Sequence, residues 1–190
     1  ILDVVFGRDP GPFVPAGVTP GDLRFDAEAG LALIGRQDGT VRRVAAGLGL
    51  PLAPAGSIVV RQRADPTAYG GLYIYAGGKN IIQLGVGQGK NGEGVMLELD
   101  NHDRASRQAF YPDIGSKQDW HEYRIDVDGP RIRLSVDGRE VVVTTYSGLP
   151  PDQVAIWNGM NSLGAIHTQR LTVLWRPDPE AAPVSEFQED

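Results

Sequence analysis

The run Trp120-His-Glu-Tyr-Arg-Ile-Asp-Val-Asp-Gly-Pro-Arg-Ile-Arg-Leu-Ser-Val-Asp-Gly-Arg-Glu-Val-Val-Val-Thr-Thr145 decides the fold. Tyr123, Ile125 and Val127 alternate with Arg124 and Asp126, and Ile132, Leu134 and Val136 alternate with Arg131, Arg133 and Ser135. Successive side chains of a strand point to opposite faces, so a period of two gives one buried and one wet face. Asp128-Gly129 and Asp137-Gly138 separate the runs, and Asp-Gly favours a tight hairpin because both residues tolerate positive φ. The stretch therefore predicts a three-stranded meander. Ile125, Val127, Ile132 and Leu134 belong inside it, with Arg124, Arg131 and Arg133 in water. Trp120, at its start, is assigned to the core.

The same punctuation extends in both directions. Leu31 to Ile34, Thr40 to Val44 and Ser57 to Arg63 are short apolar or alternating runs bounded by Gly, Asp and Pro, as strands are. Gly71 to Tyr75, Asn80 to Val86 and Gly94 to Leu99 read as three more consecutive antiparallel strands. Gln153 to Trp157 and Ile166 to Trp175 follow, which brings the expectation to eleven to thirteen strands. No segment carries a helical period. The chain is thus expected to be all-β, two antiparallel sheets packed as a jelly-roll sandwich. Residues 23–176 form that domain. Residues 1–22, with Pro10, Pro12, Pro15 and Pro20, are expected as a Pro/Gly-rich strap, and residues 177–190 as an acidic, Pro-containing tail.

Composition narrows the partners. The 190 residues suit one core, which at this size buries roughly 70% of the unfolded surface. A formal charge of −6 disfavours nucleic acid, whose affinity comes from Lys and Arg on phosphates. The absence of Cys removes disulfides, thiolate metal sites and a cysteine nucleophile. No run reaches the ~18 to 20 apolar residues that cross a bilayer as a helix. A start at Ile1 suggests a mature or excised piece.

Two segments carry the resemblance to a known family. Tyr69-Gly-Gly-Leu-Tyr-Ile-Tyr75 with Asn80-Ile-Ile-Gln-Leu84, and Asp119-Trp-His-Glu-Tyr-Arg-Ile-Asp126 with Arg131-Ile-Arg-Leu-Ser-Val-Asp-Gly138, resemble the paired strands of the concanavalin A-like lectin/glucanase superfamily. The likeness covers roughly residues 57–175. It implies oligo- or polysaccharide partners, a secreted or cell-surface setting and neighbouring domains in a larger protein.

Candidate chemistry falls in two places. Glu98-Leu-Asp-Asn-His-Asp103 is similar to the family-16 glucanase motif Glu-x-Asp-x-x-Glu, with Asp103 where that family has Glu. The resemblance implies Glu98 as nucleophile, Asp100 as tuning group and Asp103 as acid/base. A retaining glycosidase needs two carboxyl groups about 5 to 5.5 Å apart, and the shorter arm of Asp103 widens that gap. Asp100 and Asp103 also offer oxygen ligands for Ca²⁺, and an Asx turn at Asp100-Asn101 accounts for the same residues without chemistry. The second place is Trp157-Asn158-Gly-Met-Asn161, an aromatic and two amides suited to stacking on and bonding a sugar, with Tyr73, Tyr75 and Tyr111 as further platforms. Phe110 is a secondary candidate of the same kind. Arg42, Arg43, Arg61 and Arg63 are read as solvated cover, and Gly85 to Gly92 as a mobile hairpin loop. The main expectation is a non-catalytic, lectin-like carbohydrate-binding module. The alternative is a sugar-cleaving enzyme using Glu98, Asp100 and Asp103, and a purely structural sandwich is the third.

Overall fold

The computed structural model describes residues 2–7, 11–49, 52–89, 92–99, 107–111, 114–145 and 150–178, with the backbone alone at 88–89, 92, 107–110 and 177. In chain order the strands are β1 (Leu2–Val5), β2 (Val14–Ala16), β3 (Leu23–Asp26), β4 (Gly30–Ile34), β5 (Arg42–Gly47), β6 (Leu52–Ala64), β7 (Gly70–Ala76) and β8 (Lys79–Gly89). They continue with β9 (Gly92–Leu99), β10 (Arg107–Tyr111), β11 (His121–Asp128), β12 (Arg131–Val136), β13 (Arg139–Thr145), β14 (Gln153–Asn158) and β15 (Ala165–Pro177). A single 3₁₀ turn, Pro20–Asp22, is the helical element among the described residues.

The strands form two antiparallel sheets. One runs β13-β12-β11-β6-β15-β4-β3, with β1 also on β15, and the other β10-β9-β8-β7-β14-β5-β2. The meander is present as β11, β12 and β13. Tyr123, Ile125, Ile132 and Leu134 are at most 1% exposed and Val127 is buried, while Arg124, Arg131 and Arg133 face water. Its turns follow the residues: Asp137 and Gly138 both take positive φ, and Gly129 does so ahead of Pro130. Facing these across the core are Leu72, Ile74, Leu84, Leu97, Val154 and Ile156. Each such fully buried side chain contributes about 1.5 to 3 kcal/mol relative to exposure.

The N-terminal residues are knit into both sheets. β1 pairs with β15, β2 pairs with β5, and the rings of Phe6 and Phe13 meet in the core at 5.3 Å. These short strands carry the total to fifteen among the described residues, above the eleven to thirteen expected from apolar runs.

Three local expectations are corrected. Trp120 has the parity of Glu122 and Arg124, not of Tyr123, so it lies half-buried on the wet face, with the guanidinium carbons of Arg61 and Arg63 at 6.0 and 5.4 Å from its ring. Arg42 is 4% exposed, and its guanidinium spans Asp22 at 3.2 Å and Asp38 at 2.5 Å. The Gly85 to Gly92 stretch is largely strand: Gly85 pairs with Met96 and Gly89 with Gly92, leaving 90–91 outside the described residues.

His121 ties the end of the meander. Its Nδ1 lies 2.6 Å from Asp137 Oδ2 and its Nε2 2.9 Å from the Ser116 carbonyl. Both partners are acceptors, so the doubly protonated imidazolium satisfies them best. Burial opposes that charge, but the bonds to Asp137 and Ser116 outweigh it and raise the His121 pKa. A raised folded-state pKa means the contribution is complete below the unfolded value of about 6.5 and is lost as pH rises through the folded one. Urea melts are therefore expected to show stability falling as pH rises from about 6.5, with a flatter profile over that window in His121→Gln. The same slope in both proteins would refute this assignment.

Candidate active site

Core burial on one side of the seven-stranded sheet dictates what stands on the other. Because Leu72, Ile74, Leu84 and Leu97 point inward, Tyr73, Gln83 and Glu98 point outward, and the register places Tyr73 opposite Gln83 and Gln83 opposite Glu98. The next row holds Trp157, Gly71, Gly85 and Met96. Among the described strand residues of this sheet, Glu98 is the acid on the outer face.

Aromatic rings crowd onto that face because glycines make room. A Cβ on Gly87 would sit 2.2 Å from Tyr69 Cδ2, and one on Gly85 2.9 Å from its hydroxyl. Trp157 and Tyr73 stack, with ring centroids 4.6 Å apart and planes 6° from parallel. Tyr69 meets Trp157 edge-on at 5.1 Å, and Tyr73 meets Tyr75 edge-on at 5.9 Å. The indole Nε1 of Trp157 donates to the Leu84 carbonyl at 3.2 Å. At the far side Arg43 Nη1 donates to the Tyr75 hydroxyl at 3.1 Å.

These surroundings set the protonation of the phenols. Burial pushes Tyr69 up to about 12, against a hydrogen bond from Gln83, and burial also raises Tyr73, reinforced by neighbouring Tyr75 and Tyr69. The negative charge of Glu98 acts on both in the same direction. Both stay neutral at physiological pH. They are hydrogen-bond donors or stacking faces, and base or nucleophile chemistry on this face falls to a carboxylate.

The structure brings Glu98, Tyr73, Tyr75 and Trp157 onto one face, and it places other candidates elsewhere. Trp157 is only 2% exposed, sealed beneath Tyr73 and Tyr69, so it supports the platform and does not present it. Asn158 is turned to the core, where Nδ2 donates to the Leu33 and Gly164 carbonyls at 2.7 and 2.9 Å and ties the two sheets together. Tyr111 pairs with core-facing Val95 and packs against the core. Asn161 is exposed in the loop after β14. Asp100 and Asp103 lie outside the described residues, and so does the calcium reading that rests on them. Among the described residues, no group of three or more His, Asp or Glu is placed to hold a metal.

Sequence reasoning missed Tyr69, Gln83 and Arg43 as parts of this face. The signal for Tyr69 was present: Gly85 and Gly87, two apart on one strand, leave a strip that only a large ring from elsewhere fills. A groove of about 330 Å³ exists on the opposite sheet, lined by Val59, Arg61, Glu122 and Arg170 among others. Arg170 there is committed to Asp3 at 2.6 Å, and no cluster of acids converges on it.

No protein-family model matches the chain, and no curated protein sequence matches it. Solved structures do match in shape. The laminarinase catalytic domain from Thermotoga maritima aligns at TM-score 0.68 and 12% identity, over 94% of this chain and 98% of that one. A glycoside hydrolase family 16 endo-glucanase from Bacteroides ovatus aligns at 0.66 and 13%, over 91% and 99%. The carbohydrate recognition domain of Emp47p aligns at 0.58 and 13%, over 93% and 95%. The chain has the concanavalin A-like jelly-roll fold. The expectation of a non-catalytic, lectin-like module is corrected by the same comparison: the similar structures are mostly glycoside hydrolases, and the lectin domain aligns less closely.

Removing a ring so enclosed leaves a cavity. Trp157→Ala is expected to cost about 3 to 5 kcal/mol in urea unfolding, whereas an exposed sugar platform would cost well under 1 kcal/mol in stability. A small loss would contradict the buried placement.

Proposed function

We propose that this chain is a glycan-cleaving enzyme of the glycoside hydrolase kind, working on the outer face of the seven-stranded sheet with Glu98 as its nucleophile. The observation that carries this reading is the position of Glu98, a half-buried carboxylate beside an aromatic platform on a face free of core packing. The shape likeness to glucanases supports it. A pyranose ring stacks its C–H face on an aromatic such as Tyr73, and polar neighbours such as Gln83 bind its hydroxyls.

The chemistry requires a second carboxyl group. On the motif resemblance Asp103 supplies it as acid/base, with Asp100 two residues beyond Glu98 tuning the pair. The Glu98 carboxylate attacks the anomeric carbon as the bond to the leaving sugar breaks, and the acid passes its proton to the leaving oxygen. Water then attacks the same carbon, gives its proton to the now ionised acid/base and frees Glu98. An oligo- or polysaccharide substrate fits a secreted or cell-surface protein, in which neighbouring domains would anchor the chain to its substrate. No helix of the described residues is long and apolar enough to cross a membrane.

Reducing-sugar release from a polysaccharide panel tests the proposal. Glu98→Gln is nearly isosteric and is expected to lower turnover by on the order of 10³-fold or more while substrate affinity is retained. Turnover that persists in Glu98→Gln, or no turnover by the wild type on any member of a broad panel, would overturn it.

A further inference from the structure

The outer face carries a second charge whose role the hydrolytic chemistry leaves open. Arg43 stands on β5, directly across from Trp157 on β14, and is exposed. It donates one hydrogen bond to the Tyr75 hydroxyl, and its guanidinium carbon lies 6.0 Å from that ring. Among the described residues no carboxylate pairs with it. Other arginines of the fold are committed: Arg42 to Asp22 and Asp38, Arg124 to Asp126, Arg133 to Glu140 and Arg170 to Asp3. The Tyr75 contact orients the side chain by one donor and leaves the others of its fork available, a geometry suited to a carboxylate.

Its place relative to Glu98 gives this donor a meaning. In the order β9-β8-β7-β14-β5 the two residues are four strand steps apart, about 19 Å at about 4.8 Å per step. Tyr73 and the ring stack lie between them. A sugar chain laid across the strands, with its reacting residue at Glu98, passes over Tyr73 and brings a residue several units along to Arg43.

We propose that Arg43 forms a subsite for an acidic substituent, so that the substrate is a glycan with a largely neutral backbone and an occasional uronate or similar carboxylate. This rests on the glycan-cleaving reading above and names the substrate class within it. A densely charged polyanion is disfavoured by the net charge of −6 and by the presence of Glu98 on the same face. Among the described residues of this face, a cation set apart from the nucleophile fits sparse charge.

The test uses the full chain carrying Glu98→Gln, which separates binding from turnover. Neutral polysaccharides (laminarin, mixed-linkage β-glucan and xyloglucan) are each run as parent and after partial C6 oxidation to uronate, and affinities are read by affinity electrophoresis. At least one oxidised form is expected to bind about tenfold more tightly than its parent, as one charge-assisted hydrogen-bonded pair supplies. That ratio is expected to shrink with added salt and to fall to about one when Arg43→Gln is added, with Arg43→Lys keeping part of it. A ratio near one in the starting protein, an undiminished ratio in Arg43→Gln, or no binding to any form overturns the inference. Failure of the hydrolytic reading registers separately, as turnover insensitive to Glu98→Gln in the otherwise wild-type chain.

Discussion

Register, held by core burial, is the constraint on which the rest of this structure depends. Leu72, Ile74, Leu84, Leu97, Val154 and Ile156 share one side of the seven-stranded sheet and close against Ile58, Val60, Tyr123, Ile125 and Leu171 of the other. A slip of one residue in any of these strands would carry its apolar set into water. Since each buried side chain contributes a few kcal/mol, that slip is prohibitive. The outer row Tyr73, Gln83 and Glu98 is therefore the complement of the core, aligned across three strands by forces that act on the opposite face.

The outer face then adds a second layer of packing, unusual for a surface meant to meet solvent. Glycines at 71, 85 and 87 flatten it, and Tyr69 and Trp157 fill the space that ordinary side chains would occupy. Rings held this way lose little further freedom when a ligand arrives, so the platform is pre-organised. The same burial keeps the phenols of Tyr69 and Tyr73 protonated. The two phenols therefore offer stacking faces and hydrogen-bond donors rather than bases. Where a polar group is turned inward it is tied instead to backbone carbonyls, as Asn158 is to Leu33 and Gly164, or to an opposite charge, as Arg42 is to Asp22.

Residue type alone misplaces several side chains of this fold. Trp120, a large aromatic opening an amphipathic strand, reads as core, but it has the parity of Glu122 and Arg124, and the Arg61 and Arg63 pair covers it on the wet side. Arg42 reads as solvated because arginine usually is, yet a buried Asp22, which accepts from the Thr19 amide and hydroxyl, pairs with it across the fold. Trp157 and Asn158 are adjacent at a strand end, and their alternation sends one to the outer face and the other between the sheets. For Arg42 and Trp157 a deciding partner, Asp22 or Tyr73, is remote in sequence, whereas for Trp120 the deciding parity is itself local.

Local chemistry by itself determined the all-β architecture, the meander of residues 121–145 and the inward set Ile125, Val127, Ile132 and Leu134. Period-two patterning and Asp-Gly turns act within a few residues, and they need no distant partner to be read. It also singled out Glu98, Tyr73 and Tyr75 as residues with chemistry to offer. Only the tertiary structure decided that these three share one face with Tyr69, Gln83 and Arg43, that Trp157 lies beneath the platform, and that Tyr111 packs against the core. Those outcomes depend on which strands become neighbours, and strand order is set by the closure of two sheets over one core.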